Sequence, residues 1–234
     1  MNDRRSEWFV PRFGPTRFRI GVGLLFPPYT AMVLSFTLIG SMAAESIHWD
    51  RVGAVLVIYF CALGIGAHAL DALGSKGVGP WGEHFSRRVL WIAAIASVCG
   101  AYAVGVYYII FYTPFLWVIA FLEGFFLFAY NLEWFNGFFH TDGWFVLSWG
   151  VLPVLAGYVL QTDRLSLPAL LLAGAAGMMS RVEITASRPY KRLKRLSAPS
   201  ATDTELIERY EQILKGISWG TLLLGVGLFL LHWR

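Results

Sequence analysis

Seven apolar segments dominate the pattern of hydrophobic and polar residues along the chain. They lie at about 20–43, 52–73, 88–110, 113–132, 143–161, 165–181 and 216–233. Since a helix needs roughly 20 residues to cross about 30 Å of hydrocarbon, this pattern predicts an all-α, polytopic membrane bundle of about seven transmembrane helices. The apolar residues run continuously instead of alternating, which argues against a β-barrel. Pro27 and Pro28 are expected to kink the first helix.

The composition supports a membrane protein and excludes two other classes. Of 234 residues, 56% are hydrophobic and only 15% are charged, and the mean hydropathy is +0.56. These values exclude a water-soluble globular domain and a disordered chain. The two cysteines, Cys61 and Cys99, lie inside apolar stretches, so no disulfide framework is expected. The net charge of +4 does not indicate nucleic-acid binding, because the basic residues lie in the loops.

The distribution of basic residues predicts the orientation. With the N-terminus in the cytoplasm, sixteen Lys and Arg residues fall on the inner side, and only Arg51, Arg164 and Arg234 fall outside. This bias is typical of membrane proteins and places the C-terminus outside, most simply in a cell (inner) membrane. The predicted organisation is a basic, aromatic interfacial arm (1–19), a six-helix bundle (20–185), a basic cytoplasmic loop with an amphipathic helix (186–215) and a last transmembrane helix (216–234).

The amphipathic helix has a visible start signal. The pattern Thr202-Asp-Thr-Glu205 fits a capping box, in which two side chains satisfy free backbone N–H groups. From this start, Leu206, Tyr210 and Ile213 share one face. The helix is therefore expected to begin there, lie on the membrane and run into the seventh segment.

Ionisable residues inside apolar segments are expensive and therefore mark candidate functional sites. On the predicted topology they all fall in the cytoplasmic half. Carboxylates alone favour Mg²⁺, and imidazole groups widen the choice to Zn, Fe or Mn. The candidate metal ligands are His68, Asp71, Glu123, Glu133, His140, Asp142 and Glu183. Simpler interpretations stay open, since His68 and Asp71 could form a helix-end pair and the loop residues could be solvated.

Several basic residues fit a phosphate-binding role. Lys76, Arg87 and Arg88 belong to or follow a glycine-rich loop, and Arg181 ends the sixth segment. Arg87 and Arg88 could equally be topology anchors. The basic run 188–195 is expected to contact the lipid surface.

The order of short motifs resembles the UbiA family of intramembrane prenyltransferases. Ala67-His68-Ala-Leu-Asp71-Ala-Leu-Gly-Ser75 stands where that family has N-D-x-x-D-x-x-x-D, and Arg181-Val-Glu183 stands where it has a second acidic motif. Between them come Ser86-Arg-Arg88, Gly100, Gly105, Tyr107, Tyr130-Asn131 and the stretch Trp149–Tyr158. The resemblance covers roughly residues 17–185. Of the first motif's acids only Asp71 is present, and the second motif keeps one acid.

The resemblance implies a UbiA-like fold and transfer of an isoprenoid from a prenyl diphosphate to a small acceptor, with Mg²⁺ as cofactor. Asp71 would be a metal ligand and, with Tyr130 and Asn131, catalytic. Glu183, Glu133 or Asp142 would replace missing ligands, and Lys76, Arg87, Arg88 and Arg181 would hold the diphosphate. Membrane lipids would surround the protein. Two alternatives stay open: a His/carboxylate enzyme using Zn, Fe or Mn, and a non-catalytic lipid- or quinone-binding subunit or assembly factor.

Overall fold

The computed structural model describes residues 7–74 and 84–233, and this part of the chain is helical with no strand. We number the main helices α1 to α8. Their bounds are α1 Thr16–Leu25, α2 Pro27–Met42, α3 Trp49–Gly74, α4 Arg87–Phe111, α5 Leu116–Asn131, α6 Asp142–Thr162, α7 Leu167–Leu193 and α8 Ala201–His232. The all-α prediction is confirmed over these residues.

Five of these helices are long and apolar enough to cross a membrane, namely α3, α4, α6, α7 and α8. The α1–α2 pair makes a sixth if it is counted as one bent span. At 16 residues, α5 is about 24 Å long, shorter than the roughly 30 Å of hydrocarbon. The apolar helices indicate an integral membrane protein, and the count of seven spans stays a prediction.

The kink predicted at Pro27 and Pro28 is confirmed. The axes of α1 and α2 differ by 43°. Phe26 joins them in the left-handed conformation, with φ of 45°. The two prolines occupy the first positions of α2, where the missing N–H groups of proline leave no helical bond unmade. The bend turns the Phe26 side chain toward α3 and α7.

Two helices contain π-helical segments, Phe60–Ala67 in α3 and Leu147–Val151 in α6. Such segments insert an extra residue per turn and are frequent at functional sites. The first ends directly before His68, and the second contains Trp149. The two side chains are in contact, with ring centroids 5.4 Å apart.

Glycines allow α2 and α6 to pack at backbone contact in the bundle core. A Cβ atom on Gly40 would lie 2.0 Å from the carbonyl oxygen of Val154, and one on Gly157 would lie 2.1 Å from that of Thr37. Phe36, which is fully buried, packs beside this seam with Val154. We call the four residues Gly40, Val154, Gly157 and Thr37 the glycine seam.

The loop predicted at 186–215 is shorter in the structure. The helix α7 continues through Pro189 to Leu193, and α8 starts at Ala201. The capping box is present, but it uses Ser200 and Asp203 instead of Thr202 and Glu205. The helix continues without a break into the seventh apolar segment, as expected from the sequence.

We expect Ser200→Ala to lower stability by about 1 kcal/mol, because the Ser200 hydroxyl accepts from the Asp203 N–H at the start of α8. In thermal unfolding of the purified protein this corresponds to a fall of about 2–4 °C. Thr202→Ala is the matched control, and its melting temperature should stay near that of the wild type. A larger effect at Thr202 would show that the capping box starts there instead.

Candidate functional site

Six polar residues from four chain segments meet at one end of the bundle: Asp71, Tyr130, His140, Asp142, Arg181 and Arg188. We call them the polar cluster. Asp142, at the first position of α6, holds the two arginines of α7. Its Oδ1 lies 2.8 Å from Arg188 and its Oδ2 lies 4.0 Å from Arg181. The two arginines are seven residues apart, so they project from the same face of α7.

Tyr130, the last but one residue of α5, is the centre of the polar cluster. The ring of His140 stacks on it at a centroid distance of 4.4 Å, and His140 Nδ1 lies 3.0 Å from the Tyr130 carbonyl oxygen. The Arg188 guanidinium and the Asp71 and Asp142 carboxylates are all close enough to its hydroxyl to interact with it electrostatically. The phenol therefore lies between cationic and anionic groups.

A close approach of α3 and α5 brings Asp71 to Tyr130. A Cβ on Gly74, at the end of α3, would lie 2.1 Å from the carbonyl oxygen of Asn131. Glycine is therefore required for this contact. The side chain of Asn131 is buried and donates to the Leu127 carbonyl within α5 at 2.8 Å. Asn131 thus contributes its backbone to the packing, and one of the two N–H groups of its side-chain amide is used within the helix.

His68 lies in a group of aromatic side chains. Its ring lies between Phe26, at 5.9 Å, and Trp149, at 5.4 Å, and Nε2 is 3.5 Å from the Thr30 hydroxyl. Lys191 covers this group, with Nζ 5.0 Å from the centre of the Phe26 ring. We call Phe26, Tyr29, His68 and Trp149 the aromatic wall.

The other predicted site residues lie elsewhere. Arg87 and Arg88 are exposed in the first turn of α4, and Lys76 lies outside the described residues. Glu133 follows α5 in the left-handed conformation with φ of 53°. Glu123 lies seven residues before Tyr130 on α5, roughly 10 Å along the axis. The structure therefore brings together Asp71, Tyr130, His140, Asp142 and Arg181.

Glu183 lies in a pocket between the N-terminal arm, α2, α7 and α8. The volume of this pocket is about 320 Å³. The residue is only 2% exposed. Its Oε1 and the hydroxyl of Ser218 are both buried and have no hydrogen-bond partner within the described ranges. Tyr190 closes the pocket by donating to Glu7 at 2.7 Å.

The polar cluster does not fit a metal ion held by the protein alone. Among residues 7–74 and 84–233, no three His, Cys, Asp or Glu side chains are arranged to hold one. Asp142 is already paired with arginines. Mg²⁺ usually needs one or two carboxylates together with substrate phosphates. The cluster is better suited to an anion than to a cation.

Sequence reasoning missed Arg188 and Lys191 as site residues, because both belong to a basic run that resembles a lipid contact. A usable signal was the spacing of Arg181 and Arg188 by two helical turns, followed by Lys191 one turn later. Because α7 continues through Pro189, this spacing places the three side chains on the same side of the helix.

Comparisons with known proteins do not identify a relative. No protein-family model matches the chain, and no curated protein or solved structure matches it significantly.

Proposed function

We propose that this chain is a UbiA-like membrane protein that binds a prenyl diphosphate at the polar cluster and transfers its isoprenoid to a small acceptor. One observation carries the proposal: Arg188, Arg181, Tyr130 and Asp71, which are distant in sequence, meet at one end of an apolar bundle. In the orientation expected from the basic residues, this end faces the cytoplasm, where a soluble diphosphate head is accessible.

The two guanidinium groups of the cluster complement the negative charge of a diphosphate ester. Guanidinium groups bind phosphate oxygens through two parallel hydrogen bonds, and Asp142 fixes one such group in place at 2.8 Å. In the transfer, the bond between C1 of the isoprenoid and the diphosphate oxygen breaks, and the electron pair leaves with the diphosphate. Arg181, Arg188 and the Tyr130 hydroxyl are arranged to stabilise that negative charge.

The remaining groups suit the other half of the reaction. The developing positive charge on the isoprenoid would be stabilised by the ring of Trp149, since Lys191 already lies over the Phe26 and Tyr29 rings. The acceptor forms its new bond to C1 and loses a proton, which we assign to Asp71 as the exposed carboxylate next to Tyr130. No step is assigned to Mg²⁺, because the protein ligands alone do not fit it.

A second candidate is a non-catalytic protein that binds a prenyl lipid or quinone. The pairing of Asp142 with two arginines favours it, because that carboxylate cannot also hold a metal. This candidate predicts binding of the isoprenoid without release of diphosphate.

We expect Arg188→Ala to weaken the binding of tritiated geranylgeranyl diphosphate about tenfold or more, because it removes charge-assisted hydrogen bonds. Binding is measured by equilibrium dialysis of the detergent-purified full chain, with Mg²⁺ and with EDTA. Arg192→Ala, an exposed arginine one turn further along α7, is the matched control and should bind like the wild type.

Equal losses in the two variants would show that the effect is general surface charge and would overturn the site assignment. Arg188→Lys keeps the positive charge but not the planar guanidinium that forms two parallel hydrogen bonds. An intermediate loss of binding is therefore expected. Adding a membrane lipid extract as the source of acceptor then separates the two candidates. Release of diphosphate supports a transferase, and tight binding without release supports the non-catalytic protein.

A further inference from the structure

Another cavity lies around Glu123, between α3, α4, α5 and α6. The space between these helices has a volume of about 650 Å³, part of it open to the surface. The lining is almost entirely apolar and includes Leu63, Val106, Ile109, Ile119 and Leu127. The helices around it are themselves apolar, and Glu123 is the one carboxylate among its lining residues.

Glu123 has only one of its two oxygens satisfied. Oε1 accepts a hydrogen bond from the Tyr59 hydroxyl at 2.7 Å. Oε2 is buried and has no partner in the part of the chain that the structure describes. The nearby Tyr102 hydroxyl does not donate to it, because it donates to the Ala120 carbonyl oxygen at 2.7 Å. The cavity therefore combines a large apolar surface with one unused polar atom.

A buried polar atom without a partner is costly, so a ligand that supplies the missing hydrogen bond gains binding free energy there. An ionised carboxylate needs a donor at Oε2, and a protonated carboxyl group needs an acceptor for its own hydrogen. A hydroxyl group meets either need. An anionic headgroup would repel a carboxylate, and a pure hydrocarbon would leave the oxygen unsatisfied.

We propose that this cavity binds a lipophilic alcohol, with its hydroxyl on Glu123 Oε2 and its hydrocarbon chain among the apolar residues of α3, α4 and α5. The residues on the α4–α5 side, Tyr102, Ala120 and Gly124, are half-buried, so the alcohol enters there from the membrane. The site is distinct from the polar cluster, since Glu123 and Tyr130 are two turns apart on α5.

The experiment uses the full chain in detergent and a photoreactive diazirine analogue of hexadecanol as probe. Competitors are 1-hexadecanol, hexadecane and hexadecylamine at matched mole fractions in the micelle. In the wild type, hexadecanol should compete about tenfold better than hexadecane, as one added hydrogen bond to a buried group predicts. Labelled peptides should come from α3, α4 or α5.

Glu123→Leu should remove the preference for the alcohol while leaving competition by hexadecane unchanged. Gly105→Val keeps Glu123 and reduces the cavity, because a Cβ at Gly105 meets only Ile58 Cδ1, at 3.8 Å. This variant should weaken labelling by the probe, whichever competitor is used for comparison. Arg188→Ala should leave the labelling unaltered, which keeps this test independent of the diphosphate site.

Three outcomes would overturn the proposal. The first is an unchanged preference for hexadecanol in Glu123→Leu. The second is stronger competition by hexadecylamine than by hexadecanol, which would assign the site to a cationic lipid. The third is labelling that Gly105→Val leaves at the wild-type level, which would place the alcohol outside the cavity.

Discussion

Gly157→Ala should lower the melting temperature of the detergent-purified protein by roughly 5–10 °C. The new Cβ would lie 2.1 Å from the Thr37 carbonyl oxygen, which is backbone and cannot rotate away. The helices α2 and α6 must then separate along the glycine seam, where Phe36 and Val154 are fully buried. Overpacking of this kind costs about 1–3 kcal/mol, and each kcal/mol shifts the melting temperature by about 2–4 °C.

The matched control is Gly174→Ala on α7, where an added Cβ meets no atom within 4 Å. Because alanine favours a helix over glycine, this variant should melt at or slightly above the wild-type temperature. Gly40→Ala should resemble Gly157→Ala, and the double variant should lose less than the sum, since the first substitution already opens the seam. If Gly157→Ala and Gly174→Ala have the same melting temperature, α2 and α6 do not pack at backbone contact.

Glu183→Leu should raise the melting temperature by several degrees. The side chain is 2% exposed, and its Oε1 has no hydrogen-bond partner among the described residues. Removing a buried, unsatisfied polar group recovers about 1–3 kcal/mol of desolvation free energy. Leucine is of similar size and fills the same space against α8 and the N-terminal arm.

Two controls separate this effect from a general gain in hydrophobicity. Glu183→Gln keeps the unsatisfied polar atom and should gain less than leucine. Glu208→Leu, at an exposed position of α8, should change the melting temperature little. A lower melting temperature for Glu183→Leu would mean that the carboxylate is stabilised in the folded protein, for example through nearby Lys191.

The apolar parts of the helices could be predicted from the sequence because apolar length sets them, whereas the polar end of α7 could not. The kink at Pro27 was predictable for a similar local reason, since proline forbids the N–H that a helix interior uses. The start of α8 could not be predicted in this way. Ser200-x-x-Asp203 and Thr202-x-x-Glu205 both fit a capping box, and only packing decides between overlapping patterns.

The site could be predicted in part. Asp71, Tyr130 and Asp142 were recognisable because ionisable and polar groups at helix ends of a membrane protein are rarely accidental. Their ion pairs were not recognisable, because the pairing of Asp142 with Arg188 depends on how far α7 extends. The surroundings of His68 also depended on tertiary structure, because its ring neighbours Phe26 and Trp149 are distant from it in sequence.

The length of α8 has a mechanical consequence. Its 32 residues span about 48 Å, whereas the hydrocarbon is about 30 Å thick, so roughly 18 Å of rigid rod extends beyond the bilayer. The rod is braced against α2, where a Cβ on Gly225 would lie 2.8 Å from that of Ser35. A displacement of the projecting end would therefore be transmitted through the contact of Gly225 with Ser35 to α2, the helix that begins at the aromatic wall.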